Sequence, residues 1–211
     1  MSAPHLTSLD DQSTIFYMKP TKEIIIQSGI EILLEKGYNG SGLKEILDAA
    51  GVPKGSFYHF FKNKEDFAKE ALSYYSNAFI PLLQQYLVDS PHPPVNRMTL
   101  FFKAMTDIFE SQKSCKGGCL VGNMAQELAD VNTPLRTHIL QIMEIWNSYF
   151  TLCINEAKKK GELSQSTDSH ELAEFILNSW EGALLKMKIV NSAAPLRNFN
   201  RQITRILECY P

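Results

Sequence analysis

Between Leu43 and Lys64 the chain carries residue types at a spacing suited to reading a nucleic acid. Two short apolar-periodic stretches, Leu43 to Ala50 and Lys54 to Phe61, are separated by Gly51-Val52-Pro53, a tight turn of helix-turn-helix form. Wound at about 100° per residue, Lys54, Gly55, Tyr58, His59 and Lys62 fall within roughly 140° of arc, and Phe57, Phe60 and Phe61 fall opposite. One face is suited to packing and the other to contact. Lysine, tyrosine and histidine offer hydrogen-bonding groups to base edges in a major groove, and Gly55 allows close backbone approach. Lys62 and Lys64 bracket Asn63, the expected cap of the next helix, where free amides and the positive helix end favour phosphate oxygens. No acid interrupts Val52 to Lys64, so positive charge is concentrated there. An aromatic core with a solvated lysine rim has the same pattern, and periodicity alone does not separate the two.

A second chemical feature is Gly117-Gly118-Cys119, a thiol placed just before an expected helix. Free amides and a positive helix end stabilise thiolate, the reactive form, and Lys116 adds charge nearby. Lys188 assists only if the tertiary fold brings it there. Cys119 equally suits a small buried hydrophobe in a helix interface. Cys115 and Cys119 lack a convincing third ligand, so neither a metal site nor a cofactor is expected. An enzyme using Cys119 as nucleophile needs a base such as His138, which the spacing does not indicate, so no catalytic residue is assigned. Phe79, Phe101, Phe102, Met105, Phe109, Met124, Trp146, Tyr149 and Phe150 supply either plain core or the walls of a small-molecule cavity. Cys153 reads as core, and Cys209 sits near the C-terminus.

The elements that must position these groups are helical almost throughout. At 211 residues and 44% hydrophobic, the chain can bury a substantial core. Its net charge of -2 excludes a globally basic nucleic-acid binder, leaving only a local positive cluster. No apolar run approaches the roughly 20 residues that span a bilayer, so a cytoplasmic protein without a membrane partner is expected. Residues 1–19 read as a mobile leader or tag remnant. Helices are expected at Thr21 to Lys36, stopped by Gly37; at Leu43 to Ala50, capped by Ser41; from Pro53 to Phe61; and from Lys64 to Val88. Five more follow at Val95 to Gln112, Cys119 to Val131, Pro134 to Lys160, Ser169 to Asn191 and Pro195 to Cys209. The fold class is all-α with about nine helices.

The run from Ala50 to Glu65, AGVPKGSFYHFFKNKE, closely resembles the signature of TetR-family transcriptional regulators. The resemblance implies a three-helix DNA-binding head over residues 20–66, a larger sensing and dimerisation body over 67–211, and a homodimeric repressor that binds double-stranded operator DNA and releases it when an effector binds. It implies that Lys54, Gly55, Ser56, Tyr58, His59 and Lys64 approach DNA, with Thr21 matching a phosphate contact. Gly161-Glu162-Leu163, Glu171-Leu172-Ala173 and Trp180 to Leu185 resemble the family's approach to its penultimate helix, whose last two helices usually pair with the other subunit. Stripes through Leu172, Phe175, Ile176, Ser179, Gly182, Ala183 and Lys186, and through Leu196, Phe199, Ile203, Ile206 and Leu207, would serve such an interface. Gly117 to Val121, followed by Glu127-Leu128-Ala129-Asp130, resembles the N-ethylmaleimide-responsive subgroup, which implies a sensor role for Cys119. A small molecule held without a covalent bond in the helical body is the alternative effector.

Overall fold

The computed structural model describes residues 20–111 and 115–208, so the leader 1–19 and Cys209 lie outside the described residues. Among the described residues the regular elements are α1 (Thr21–Gly40), α2 (Leu43–Ala50), α3 (Lys54–Phe60), α4 (Lys64–Leu83), α5 (Pro94–Ser111), α6 (Leu120–Leu128), α7 (Thr133–Lys159), α8 (Ser169–Val190) and α9 (Ala194–Glu208). No strand interrupts them, as the periodicity requires. A wider, π-type turn at Gln84–Val88 prolongs α4 beyond Pro81, where a ring without an N–H breaks the regular bonding ladder.

The head closes on aromatic rings. Phe57 and Phe61 are fully buried, with centroids 5.1 Å apart, and both rings meet Phe67 of α4. Gly29 of α1 faces the same ring so closely that a Cβ there would lie 2.2 Å from Phe67 Cζ. A glycine on a buried helix face thus lets α1 and α4 approach. Gly51 turns left-handed at φ 67 and ends α2, and Asn63 caps α4 by accepting from the Asp66 amide at 2.8 Å. Ser41 does not cap α2; Gly42 holds that position, and the buried Ser41 hydroxyl donates back to the Tyr38 carbonyl. α4 crosses the 66/67 position without a break and contributes Phe67, Ala68 and Ala71 to the interior.

α1 is interrupted at Gly37, whose φ of 72 frees the amides that follow. The Glu127 carboxylate of α6 accepts from two of them, Tyr38 N at 2.8 Å and Asn39 N at 2.7 Å. Its oxygen lies 2.2 Å from where a Gly37 Cβ would stand, so only glycine admits it. On the acceptor side, the Lys64 ammonium donates to the carbonyls of Tyr38 and Ser41 and lies 4.4 Å from the Tyr38 ring centroid. Opposite charges from α6 and α4 therefore hold one short stretch of backbone.

The body is α4 to α9 around a second aromatic core, in which Phe102 meets Phe150, Trp180 and Phe199 at centroid distances of 5.3, 5.2 and 4.8 Å. Buried Arg97 of α5 makes a two-pronged ion pair with Glu156 of α7, at 2.8 and 3.2 Å, and donates to the His92 carbonyl. The α9 stripe of Leu196, Phe199, Ile203 and Leu207 is buried within the subunit, contrary to its expected place at an interface, because Phe199 completes this core. On α8, Leu172 and Ile176 are likewise internal, whereas Phe175, Leu185 and Ile189 stand 50, 43 and 68% exposed.

Replacing Gly29 by alanine should destabilise the protein by about 1–3 kcal/mol, because the Phe67 ring is fixed by Phe57 and Phe61 and has no free direction of retreat. Urea unfolding monitored by helical circular dichroism measures this; an unchanged midpoint would show that the two helices yield without cost.

Candidate functional site

On the outer face of α3, Lys54, Gly55, Tyr58 and His59 are exposed, with Tyr58 at 55%, and Phe57 opposite them is at 0%. Lys62 is exposed too, but it lies beyond the end of α3, where Phe61 turns extended, and so not on the helix face expected for it. Ser56 is half-buried, and Thr21 is exposed at the first residue of α1. A Cβ on Gly55 would meet no atom of the protein within 4 Å, so its bareness answers no internal need. Lys64 departs from the expectation of a free phosphate contact. Its ammonium is half-buried and satisfied by the two carbonyls and the Tyr38 ring, and burial lowers its pKa against the opposing pull of Glu127.

The second site lies inside the body. A narrow cavity with room for only a few water-sized molecules is walled by Phe79, Phe101, Phe102, Met105, Phe109, Trp146 and Phe150, all expected as core or cavity wall, with Leu83, Leu177, Trp180 and Leu184. Tyr149 is only half-buried and Met124 is buried in α6, and neither lines it. The Trp146 indole N–H is satisfied by the Ser76 hydroxyl at 3.0 Å. Three titratable side chains face the space: Tyr75, Cys119 and Glu181.

Cys119 is 7% exposed and caps α6, accepting a weak bond from the Gly122 amide at 3.5 Å. The helix-end stabilisation anticipated for its thiolate is present, but other forces overwhelm it. Burial raises the thiol pKa well above its ordinary value, and the Glu181 charge raises it further, so the thiol is neutral at rest. Gly117 and Gly118 serve the backbone, with φ of 84 and 66, and a Cβ on Gly118 would stand 2.9 Å from Lys188 Cδ. Lys188 does reach this loop, yet its ammonium donates to Asn123 Oδ1 at 2.8 Å. Cys115 is half-buried in the approach to α6. His138 is engaged with Ser73 and the Lys69 carbonyl on α4 and does not line the cavity.

Glu181 and Tyr75 were not singled out by residue type alone. Glu181 sits at the helical spacing of Leu177 and Leu184, an acid in an apolar register, and that was the available signal. Its carboxyl oxygen lies 2.3 Å from where a Gly122 Cβ would be, so Gly122 makes its room. Burial raises its pKa, while a hydrogen bond from the Cys119 thiol acts in the opposite direction. Tyr75 has its pKa raised by burial and then by Cys119, and its hydroxyl lies beside the Leu120 amide. The N-terminal end of α6 thus lines the cavity, and Glu127 at the other end of the same helix holds the head.

Residues 25–71 match the model of bacterial regulatory proteins of the tetR family, and residues 94–203 match the tetracyclin repressor-like C-terminal domain. The transcriptional regulator AcuR of Cereibacter sphaeroides is 39% identical over 181 residues, covering 86% of this chain and 82% of AcuR. The HTH-type transcriptional repressor DhaR of Mycobacterium sp. strain GP1 is 36% identical over 180 residues, 85% of this chain and 88% of DhaR. The crystal structure of reduced NemR from Escherichia coli superposes with a TM-score of 0.80 at 27% identity, covering 88% of this chain and 95% of that one. With a helix-turn-helix head, an all-helical body and relatives that are regulators, not enzymes, this chain belongs to the TetR family of transcriptional regulators.

Proposed function

We propose that the protein is a cytoplasmic, homodimeric repressor that leaves its operator when a small molecule occupies the cavity beside Cys119. The observation that carries this reading is the continuity of α6, a single short helix whose cap Cys119 lines the cavity, whose Gly122 makes room for the cavity's Glu181 and whose Glu127 grips the backbone of the head. A ligand that displaces the first end biases the second, and it shifts the equilibrium only by its differential affinity for the two head positions. DhaR and NemR are both transcriptional repressors by name.

On DNA, Tyr58, His59, Lys54 and Gly55 enter the major groove, Ser56 supports them, and Lys62 and Thr21 meet phosphates. Lys64 acts one step back by fixing the backbone of residues 38–41. Two heads must sit roughly 34–36 Å apart to meet successive turns of one groove face. The exposed α8 row of Phe175, Leu185 and Ile189, with open space beyond Gly182, is the surface through which two copies join. For the effector, the neutral and enclosed state of Cys119 favours a ligand admitted to the cavity over an oxidant meeting an exposed thiolate at Cys119, Cys115 or elsewhere. Trp146 contributes wall, whereas Met124 and Lys188 brace α6 from outside the space.

Tyr58→Ala should weaken operator binding by about 1–3 kcal/mol without altering its salt dependence, and Lys62→Ala should reduce the salt slope by about one unit. Fluorescence anisotropy over a salt series measures both, and unchanged affinity in both would remove the α3 assignment. Glu127→Gln should keep operator affinity within about tenfold of the parent yet require more effector for release, since the linked free energy between sites is about 1–3 kcal/mol. Equal release curves for parent and variant would disprove the α6 connection. Leu185→Glu should give a monomer in analytical ultracentrifugation with little operator affinity; a stable dimer would place the interface elsewhere.

A further inference from the structure

The cavity divides into two unlike parts. Aromatic rings and aliphatic chains wall most of it, and a carboxyl, a thiol and a phenol converge on the rest. The Tyr75 hydroxyl meets the Cys119 sulfur, and the Cys119 thiol donates to Glu181, so the three form one connected polar cluster. None of the described residues lining the space is basic. Burying an ionised carboxyl costs free energy unless an opposite charge offsets it. The fold nonetheless keeps Glu181 here and gives it room through Gly122, where a Cβ would stand 2.3 Å from a carboxyl oxygen.

We propose that the effector is a small primary alkylammonium ion, its nitrogen paired with the Glu181 carboxylate and its alkyl group held against the aromatic wall. This inference rests on the assignment of the cavity as the effector site. An ammonium group carries three N–H donors, and the polar cluster offers it the carboxylate first, then the Cys119 sulfur and the Tyr75 oxygen as acceptors. The rings add to the attraction, because the face of an indole or phenyl ring draws a cation lying within about 6 Å of it. Phe79, Trp146 and Trp180 line the same space. Burial raises the Glu181 pKa, so wherever that carboxyl is protonated the entering ammonium ion displaces its proton to solvent.

Three features select this class. An anion would meet Glu181 with no basic side chain on the wall to compensate it. A neutral apolar molecule would leave the carboxyl desolvated and without a counter-charge, so the one acid on the wall would oppose binding or contribute nothing to it. The narrowness of the space limits the alkyl group to a few carbons, which excludes long-chain and polycyclic cations. Gly122 ties this pairing to α6: a group drawn to the Glu181 carboxyl sits against the first turn of that helix.

The test uses the full chain and three molecules with the same number of heavy atoms but different charge: isopropylammonium, isopropanol and acetate. Both tryptophans of the chain, Trp146 and Trp180, line the cavity, so intrinsic fluorescence reads its occupancy while anisotropy of labelled operator reads release. Isopropylammonium should bind and release DNA at about a hundredfold lower concentration than isopropanol, and acetate should do neither. Glu181→Gln should weaken isopropylammonium about a hundredfold and leave isopropanol unchanged, the latter showing that the cavity is intact. In the parent, affinity for isopropylammonium should be lost as pH falls and Glu181 takes up its proton, by about tenfold per pH unit below its pKa, with isopropanol flat over the same range. Tyr75 on α4 and Cys119 at the start of α6 are held neutral by burial through that range, and α5 and α7 contribute no charged side chain to the wall, so the profile belongs to Glu181. Equal affinity for isopropylammonium and isopropanol, equal affinity in parent and Glu181→Gln, or equal affinity at acid and neutral pH would each overturn the cation, and release by isopropanol would then leave the cavity as effector site. Glu181-dependent binding of isopropylammonium without release of DNA would overturn its role as effector. If none of the three changes tryptophan fluorescence or releases DNA, the cavity assignment falls and the inference with it.

Discussion

The grip of Glu127 on the Tyr38 and Asn39 amides is the contact on which the relation between head and body depends. Those amides exist as free donors only because Gly37 leaves helical geometry, and the carboxylate reaches them only because glycine has no side chain there. Lys64 supplies the complementary half from α4 by occupying the carbonyls of Tyr38 and Ser41. Hydrogen bonds to ionised groups are stronger than neutral ones, and here they converge on one stretch of backbone from two directions. The head is thereby tied to two body helices at its base, while α3 carries no such tie and presents its outer face to solvent.

The body shows how burial redirects chemistry. A helix start with two glycines and a nearby lysine is a setting for thiolate, yet enclosure by aromatic rings and a neighbouring carboxyl raises the Cys119 pKa instead. Desolvation acts on the whole ionised sulfur, whereas the Gly122 amide at 3.5 Å offers only a weak bond. Glu181 is subject to the same desolvation, which raises its pKa, while a hydrogen bond from the Cys119 thiol acts in the opposite direction.

α6 unites the two regions because of its brevity. Spanning Leu120–Leu128, it has one end at the cavity and the other at the head, with Asn123 between them bonded to Gly117 on one side and Lys188 on the other. Asn132, just beyond it, caps α7 and donates to Glu65 near the start of α4.

The sequence by itself determined the helices, the exposed and buried faces of α3, the caps at Asn63 and Gly51, and most of the aromatic cavity wall. Each of these is set by residues a few positions apart, where helical period and turn chemistry act. Lys64, the α9 stripe and the charge state of Cys119 were decided only by the tertiary structure. Their partners, Tyr38, Phe102 and Glu181 among them, are remote in the chain, and desolvation depends on everything that surrounds a group at once. Local periodicity says which side of a helix is apolar, but it does not say whether a second copy, a ligand or the protein's own core will cover that side.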